Sequence, residues 1–398
     1  MRRRQLPVHS PITLGALCGA AAAGLSLKAD PRQALRASLL RDYRADDVVL
    51  CRSGTEALQL GIRAALRQAR ASAVALPAFT CFDVGAAAVG VGAAIELYDV
   101  QPTTLAPDLD SLERVLRRGA RVVVVAPLYG VPVNWDAMTA VLEPHGAVAV
   151  EDAAQGHGAS WRDDRLGSLG PISVLSFGRG KGWTGGGGGA LLLRGVDGGN
   201  SVGDLIPVAR VVDEVATLHR ATAHWAFGRP ALYAIPAALP WLRLGETVYR
   251  TATPPRLMSR TAAAVAHAMA EEAQREAVNR RNNAGCLLDA VRDAATGIWA
   301  IQVHPQATPS FLRLPVRCRH GLGGFPSPAE ASRLGIAASY PSSLAALPPI
   351  RRALLQTGSW PGADELARQL CTLPTHTRLS PAERKAIVAQ VRGYACLE

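Results

Sequence analysis

Short apolar segments alternate with longer amphipathic segments between residue 47 and about residue 195. The apolar segments are four to six residues long and mostly rich in β-branched residues, with glycine, proline or aspartate at their ends. These features are typical of buried strands. The predicted strands are Val48–Cys51, Ala73–Leu76, Ala94–Tyr98, Arg121–Ala126, Ala147–Glu151, Ile172–Phe177 and Ala190–Leu193.

Segments of helical length lie between these strands, at Thr55–Arg70, Cys81–Val91, Asp110–Arg118 and Trp135–Glu143. Regular alternation of strand and helix favours an α/β fold, in which a mostly parallel sheet is covered by helices on both faces. In such sheets ligands bind beyond the carboxyl ends of the strands. We therefore expect the chemistry of this chain in the loops that follow its strands.

The pattern changes after about residue 200, where helices predominate. Alanine-rich helices are predicted at Thr261–Ala277 and Asn282–Ala294, a short strand at Ser310–Pro315 and a terminal helix at Pro381–Tyr394. We expect three units: an N-terminal helical segment at residues 1–45 that packs on the main domain, a large α/β domain at 46–250, and a smaller C-terminal α+β domain at 251–398.

Composition excludes several classes of protein. The chain has 398 residues, of which 48% are hydrophobic, and this is enough to bury a large core. Seven cysteines, an odd number with no Cys-x-x-Cys pair, argue against a disulfide framework and a zinc site, and we expect no metal. A reducing, cytoplasmic setting fits this cysteine usage best.

Charge and hydropathy narrow the possible partners. The net charge is +11, but the basic residues are scattered arginines, so we expect no nucleic-acid partner. We also expect no membrane span, because no stretch has 18 uninterrupted apolar residues. The arginines at 2–4 and the apolar stretch Ile12–Leu25 resemble a leader. Pro7 and Pro11 interrupt the segment between them, so a helix packed on the main domain is the better interpretation.

Two motifs at strand ends are suited to a phosphate and to a heteroaromatic ring. Ser53-Gly54-Thr55 follows a strand and opens a helix, where free N–H groups and the helix dipole favour a phosphate, although an ordinary N-cap looks the same. Glu151 and Asp152 end a buried strand, and a buried carboxylate is costly unless a cation or donors meet it. One of them could hold a proton on a ring nitrogen while Gln155 reaches a neighbouring oxygen; capping of the next helix is the alternative.

A third motif supplies a lysine. The chain has three lysines, and Lys181 lies in the glycine-rich loop that follows Ser176. Enclosure of a lysine lowers its pKa, and the neutral amine can form a Schiff base, whereas a solvated surface lysine is the plain alternative. The spacing of the glycines and Gly182 after the lysine, where a P-loop has serine or threonine, argue against a nucleotide P-loop. The run Gly185–Gly189 allows close backbone approach, and flexibility explains it equally well.

Taken together, these motifs supply a phosphate site, an acid for a ring nitrogen, a hydroxyl and a lysine at the strand ends of one sheet. This is the set that pyridoxal phosphate requires.

At this point the sequence resembles the DegT/DnrJ/StrS aminotransferases, often called sugar aminotransferases. The matching motifs are Ser53-Gly54-Thr55-Glu56-Ala57-Leu58, Pro77-Ala78-Phe79-Thr80, Tyr98-Asp99-Val100, Leu128-Tyr129-Gly130-Val131-Pro132, Glu151-Asp152-Ala153-Ala154-Gln155-Gly156-His157-Gly158-Ala159, Gly167-Ser168-Leu169-Gly170, Ser176-Phe177 with Lys181, Leu334-Gly335-Ile336 through Tyr340-Pro341, and Leu373-Pro374-Thr375-His376.

The resemblance implies a fold-type-I pyridoxal-phosphate enzyme, usually a homodimer, that moves an amino group from glutamate to a keto sugar carried on a nucleotide, in polysaccharide or natural-product biosynthesis. It implies that Lys181 bonds the cofactor and moves the proton, and that Asp152 pairs with the ring nitrogen. Gln155 would lie near the phenolic oxygen, and the phosphate would be bound by Ser176 with the backbone of Gly54 and Thr55.

The sequence departs from the family pattern at two places. Cys81 stands where members often carry an aromatic residue stacked on the cofactor, with Phe82 next to it, and residues 254–259 lack the usual asparagine. We interpret the chain as a divergent branch. Alternatives are a transaminase or dehydratase that acts on a cyclic ketone without a nucleotide, or a non-catalytic cofactor-binding homologue; Lys181 argues against the family's dehydratases, which carry histidine there.

Overall fold

A seven-stranded sheet forms the centre of the molecule. The structure, a computed structural model, describes residues 3–25, 30–195, 207, 209–239, 241, 247–294 and 297–394. Its strands are β1 (Asp47–Cys51), β2 (Ala73–Pro77), β3 (Ala94–Tyr98), β4 (Val122–Val125), β5 (Val148–Asp152), β6 (Ser160–Trp161), β7 (Asp164–Arg165), β8 (Ile172–Ser176), β9 (Gly189–Leu193), β10 (Ile298–Ala300), β11 (Ala307–Thr308), β12 (Leu314–Cys318), β13 (Ala337–Ala338) and β14 (Leu370–Leu373).

The helices cover both faces of this sheet and pack on a second, smaller one. They are α1 (Leu14–Leu25), α2 (Pro31–Asp42), α3 (Gly54–Gln68), α4 (Phe82–Gly90), α5 (Leu109–Arg117), α6 (Trp135–Leu142), α7 (Val211–Phe227), α8 (Pro230–Ala237), α9 (Arg260–Ala268), α10 (Ala270–Arg292), α11 (Pro328–Arg333), α12 (Pro348–Ala353), α13 (Pro361–Gln369) and α14 (Pro381–Arg392).

The strand order of the large sheet is β1-β9-β8-β5-β4-β2-β3. Strand β9 runs antiparallel to both of its neighbours, and the remaining neighbours pair in parallel. Each of the seven strands expected from the sequence is present within one residue of its predicted ends. The predicted α/β fold with a mostly parallel sheet is therefore confirmed.

Alternation along each strand divides the core between the two faces of the sheet. Val122 and Val124 pack on the face covered by α3 and α4, whereas Val123 and Val125 pack against α5 and α6. Near the other edge, Val48 and Leu50 of β1 face α1, α2 and α9. Since side chains alternate with period two, a strand that is apolar at every position must be covered on both sides.

The smaller sheet is antiparallel, with the order β10-β12-β14-β13, and packs with α10 and α14 around its own core. The strand predicted at Ser310–Pro315 was placed wrongly, because regular pairing begins at Leu314. The N–H groups of Ser310 and Leu312 donate instead to the carbonyl oxygens of Gly130 and Tyr129. This stretch is therefore held to a loop of the large sheet.

The helix predicted over Thr261–Ala277 is also interrupted. Helix α9 ends at Ala268 and α10 begins at Ala270, because Met269 has non-helical dihedral angles (φ −97°, ψ 1°). The break leaves α9 packed on α1 beneath the large sheet while α10 extends to the smaller sheet. The domain boundary near residue 250 stays a prediction.

The N-terminal segment joins the two sheets. The N–H of Gln5 donates to the carbonyl of Arg333 in α11, and His376 Nε2 donates to the carbonyl of Leu6 at 2.8 Å. A few residues later, the hydroxyl of Ser10 donates to the carbonyl of Lys181. Residues 5–10 therefore contact both elements near the smaller sheet and the loop that carries the lysine.

The run Gly185–Gly189 is explained by close packing. A Cβ on Gly186 would lie 2.7 Å from Cβ of Ala221 in α7, and one on Gly189 would lie 2.6 Å from Cα of Gly54. Gly186 also has φ +73°, which side chains rarely adopt. These glycines let α7 and the start of α3 approach the backbone that follows Lys181.

We expect Gly186→Ala to destabilise the protein by about 2 kcal/mol, because the methyl group overlaps Ala221 and the backbone is left-handed. Urea denaturation measures the change. Gly195→Ala is the matched control, since Gly195 has φ +59° but nothing within 4 Å of the added Cβ. Equal losses in the two variants would contradict the packing explanation.

Candidate active site

A cleft of about 450 Å³ opens at the carboxyl ends of β1, β2, β4, β5 and β8. The six residues predicted as site residues, Gly54, Thr55, Asp152, Gln155, Ser176 and Lys181, all line it. The other lining residues are Leu58, Thr80, Cys81, Asp83, Ala126, Pro127, Leu128 and Ala154. The structure thus brings the strand-end motifs of the sequence to one place.

One end of the cleft is built from the start of α3. Ser53 is its N-cap, and its Oγ accepts a hydrogen bond from the N–H of Glu56 at 3.2 Å. Gly54 comes so close to Ser176 that a Cβ would lie 2.7 Å from the Ser176 Oγ. A serine hydroxyl and the positive end of a helix dipole therefore lie side by side, which is a suitable cradle for a phosphate.

The two acids at the end of β5 have different environments. Glu151 is fully buried, and its carboxylate accepts hydrogen bonds from the N–H of Gly167 (2.6 Å), the N–H of Leu169 (3.1 Å) and the hydroxyl of Ser173 (2.9 Å). Burial raises the pKa of Glu151, and these donors oppose the shift. Glu151 is thus held by the backbone and does not line the cleft. The sequence alone did not show which of the two acids would do so.

Asp152 lines the cleft. Its Oδ1 accepts from the N–H of Ala154 at 3.1 Å, so it also caps the following turn. Burial raises the pKa of Asp152, whereas the nearby Lys181 ammonium lowers it. A carboxylate at this place can hold a proton on the nitrogen of a bound ring.

The loop that carries Lys181 is fixed from several sides. Gly180 has φ +78°, and the N–H of Lys181 donates to the carbonyl of Gly178 at 3.4 Å. Trp183, two residues on, donates its indole N–H to the carbonyl of Ala266 in α9 at 2.7 Å. The amine is therefore presented to the cleft from an anchored backbone.

Gln155 connects the cleft to two tyrosines that we did not predict as site residues. Its Oε1 accepts from the N–H of Tyr129 at 3.0 Å, and its Nε2 donates to the hydroxyl of Tyr340 at 2.8 Å. One N–H of the amide remains for another acceptor. The two rings are stacked with centroids 6.3 Å apart. Both tyrosines stand in family-like motifs, and this was the available signal.

The structure places Cys81, and no aromatic side chain, at the position where family members often have an aromatic residue. Cys81 lines the cleft, and burial raises the pKa of its thiol to about 12. Phe82 is not among the residues that line the cleft. It packs near Tyr340 in the core, so it does not offer its ring to a cofactor in the cleft. Thr80 Oγ1 is buried in the cleft and has no hydrogen-bond partner among the described residues.

Behind the lysine loop lies a buried group of His9, His157, His376 and Arg280. The guanidinium of Arg280 lies 3.0 Å from where a Cβ of Gly182 would be, and His157 packs against Trp183 with ring centroids 5.1 Å apart. Burial lowers the imidazole pKa values to about 2 for His9, about 3 for His157 and about 4 for His376. These imidazoles are therefore neutral in the folded protein.

Comparison with known proteins supports the family resemblance over part of the chain. Residues 28–197 match the model of the DegT/DnrJ/EryC1/StrS aminotransferase family. The resemblance found in the sequence is thereby confirmed.

Among curated relatives, the L-glutamine:2-deoxy-scyllo-inosose aminotransferase of Streptomyces fradiae is 36% identical over 145 residues, which are 36% of this chain and 34% of that protein. The UDP-N-acetyl-3-dehydro-alpha-D-glucosamine 3-aminotransferase of Acidithiobacillus ferrooxidans is 32% identical over 127 residues, 32% of this chain and 34% of that protein. The chain thus spans about a third of the length of these relatives.

The fold comparison covers nearly the whole chain. AtS13 from Actinomadura melliaura superposes with a TM-score of 0.73 and 23% identity, over 98% of this chain and 99% of that chain. A likeness at this level of identity supports the architecture of both parts of the molecule.

The cleft fits pyridoxal phosphate, the cofactor of this family. The phosphate cradle at Gly54 and Ser176, the buried hydroxyl of Thr80 and the carboxylate of Asp152 complement its phosphate and its ring. Within the described ranges, no cluster of three or more His, Cys, Asp or Glu side chains could hold a metal, and no helix there is long and apolar enough to cross a membrane.

We expect Ser176→Ala to weaken binding of pyridoxal phosphate about ten-fold, because one hydrogen bond to a charged group is lost. A titration followed by the visible absorbance of the bound cofactor measures the affinity. Ser168→Ala is the control, since the Ser168 hydroxyl donates to the carbonyl of Arg165 outside the cleft. Unchanged affinity in the Ser176 variant would remove this residue from the phosphate site.

His157 should make the protein less stable in acid. Its pKa is about 3 in the fold and about 6.5 when unfolded, so below pH 6.5 the unfolded chain binds a proton that the native chain does not. The contribution of the neutral imidazole to the free energy of unfolding is full above pH 6.5. Below that pH it falls by up to about 1.4 kcal/mol per pH unit. His157→Gln should therefore lose stability less steeply than the wild type between pH 6.5 and 5 in urea denaturation. Equal slopes in the two proteins would contradict this prediction.

Proposed function

We propose that this chain is a pyridoxal-phosphate-dependent aminotransferase that moves an amino group from an amino acid to a cyclic polyhydroxylated ketone. The observation that carries the proposal is the convergence of Lys181, Asp152 and the Gly54–Ser176 cradle in one cleft. The family match supports the same reaction class. Glutamate is the donor that we infer from the resemblance, whereas several relatives are named for L-glutamine.

Four groups of the cleft have a definite part in this reaction. The cofactor, when bound, supplies an aldehyde for the amino group and a ring that accepts electrons as a Cα–H bond breaks. Lys181 Nζ holds the cofactor and carries the proton between the substrate and the cofactor. Asp152 keeps the ring nitrogen protonated, and Ser176 with the N-terminal N–H groups of α3 fixes the phosphate.

The acceptor is a keto sugar, and we infer a nucleotide-linked one in polysaccharide or natural-product biosynthesis. One relative is named for a UDP-linked sugar, and others are named for a cyclitol, which keeps a cyclic ketone without a nucleotide as the alternative acceptor. Panels of both types of ketone, offered to the amino-loaded enzyme, separate these acceptors.

We also infer a homodimer in the cytoplasm. Val211, Val212 and Val215 on α7 are each more than 60% exposed, which is unusual for a cluster of apolar side chains on a soluble surface. A second copy of the chain is the partner expected from the resemblance. Sedimentation of the purified protein would contradict this part of the proposal if only monomers were found at micromolar concentration.

We expect Lys181→Ala to abolish amino transfer, because no other lysine lines the cleft. The wild type should show a visible absorbance band with pyridoxal phosphate, and glutamate or glutamine should bleach it. The variant should bind the cofactor without turning over, and Lys385→Ala, on the exposed face of α14, should behave as the wild type. Turnover by the Lys181 variant would overturn the mechanism, and a wild-type band that no amino donor bleaches would favour the non-catalytic homologue.

A further inference from the structure

Arg280 is a fully buried cation whose hydrogen-bond donors are not met by the fold. It lies in α10, and none of its surface is exposed. Its Nε, Nη1 and Nη2 all lack a hydrogen-bond partner among the described residues. A guanidinium carries five N–H donors in one plane, and burial of an ion whose donors and charge are both unmet is strongly unfavourable. This position therefore requires an acceptor that the described side chains do not supply.

The acid closest to Arg280 along the helix is engaged elsewhere. Burial lowers the pKa of Arg280 to about 10, and the charge of Glu276, one turn earlier in α10, opposes this shift. The carboxylate of Glu276 accepts its hydrogen bonds from the N–H (3.0 Å) and the hydroxyl (2.7 Å) of Thr377. Arg281 adds a second positive charge and donates to the carbonyl of Gly158, which is uncharged. One carboxylate thus faces two guanidinium groups, and the surroundings stay positive.

His157 brings a second unmet donor to the same place. A Cβ on Gly182 would lie 3.0 Å from Nη2 of Arg280 and 3.4 Å from Cβ of His157, so both side chains flank this glycine. Both ring nitrogens of His157 are buried and lack a hydrogen-bond partner among the residues that the structure describes. Burial, with a contribution from Arg280, lowers the imidazole pKa to about 3, so the ring is neutral and carries one N–H.

A small monovalent anion meets these requirements. An occupant must be enclosed together with a side chain that has no exposed surface, and this rules out nucleotides and sugars. Removal of a dianion such as sulfate from water costs far more than removal of a monovalent ion, because the cost of burying an ion rises steeply with its charge. A water molecule would meet the donors but leave the charge of the guanidinium uncompensated. Chloride satisfies both conditions.

We propose that Arg280 and His157 hold a chloride ion behind the loop that carries Lys181. Neither residue lines the cleft, so this site is separate from the cofactor site and does not depend on the proposed aminotransferase function. The ion would support the backbone of Gly182 from below. It would also fix His157, whose ring packs against that of Trp183 with centroids 5.1 Å apart. Chloride is thus a structural component of the lysine loop.

The first test locates the ion in the wild-type protein. Crystals of the full chain are grown with bromide in place of chloride, and anomalous diffraction at the bromine absorption edge marks each bound bromide. We expect a bromide within hydrogen-bond distance of the guanidinium of Arg280 and of a ring nitrogen of His157. Water alone at this place, or bromide on the outer surface only, would overturn the proposal.

The second test measures binding in solution. Thermal unfolding is followed in sodium chloride and in sodium gluconate at equal ionic strength, because gluconate is too large for an enclosed site. Chloride at about 100 times its dissociation constant should raise the Tm of the wild type by about 3 °C relative to gluconate. Arg280→Met keeps much of the side-chain volume but removes the charge, so the two salts should give it the same Tm.

Arg275→Met is the matched control for this test. Arg275 lies on the same helix, is exposed and pairs with Glu272, so its variant should keep the full response to chloride. Equal Tm values of the wild type in the two salts would overturn the proposal, as would a full chloride response in Arg280→Met.

Two further variants keep the test decisive if Arg280→Met does not fold. Arg280→Lys retains the charge and should retain a weaker response to chloride. His157→Phe removes the neighbouring N–H but leaves the guanidinium, and it should weaken chloride binding about ten-fold. An unchanged response in His157→Phe would remove this histidine from the site. Bleaching of the cofactor band by an amino donor tests the proposed function separately, and its outcome does not bear on the chloride ion.

Discussion

The buried carboxylate of Glu151 determines how the strand ends of the large sheet are arranged. A charge inside the core must be met by donors, and Glu151 is met by the backbone of residues 167–170 and by Ser173. Arg194, at the end of β9, donates to the carbonyls of Gly167 and Gly170 and to that of Tyr43 after α2. Glu151 and Arg194 together therefore fix a loop, two strands and a helix end, and Asp152, the next residue after Glu151, lines the cleft.

The electrostatics of the cleft depend on this separation. If both acids faced the same side, each would raise the pKa of the other, and one of the two would tend to stay protonated. With Glu151 satisfied elsewhere, the charge of Lys181 acts on Asp152 alone of the pair. Cys81 gives its wall of the cleft only a small side chain, so in the proposed function polar contacts and the phosphate cradle would contribute more of the cofactor's binding.

The central sheet could be predicted well from the sequence. Strands buried on both faces are apolar at nearly every position, and glycine, proline or aspartate marks where they end. That Lys181 lies in one cleft with the other predicted residues could be expected, because parallel strands end at one edge of the sheet. The contact between Gln155 and Tyr340 spans 185 positions and depends on the packing of two sheets, which no local pattern encodes. The break at Met269 and the late start of β12 at Leu314 also follow from tertiary contacts, since local propensity favours a continuous helix and an earlier strand.

The segment of residues 5–10 connects elements near the smaller sheet to the loop that carries Lys181. It is held to α11 and to His376 at one end and to the carbonyl of Lys181 at the other. The backbone of the lysine loop is therefore linked to α11 and to His376 by a short piece of chain that does not pass through the large sheet. Loss of this piece would release the lysine loop on one side and leave the strands that carry the other cleft residues in place.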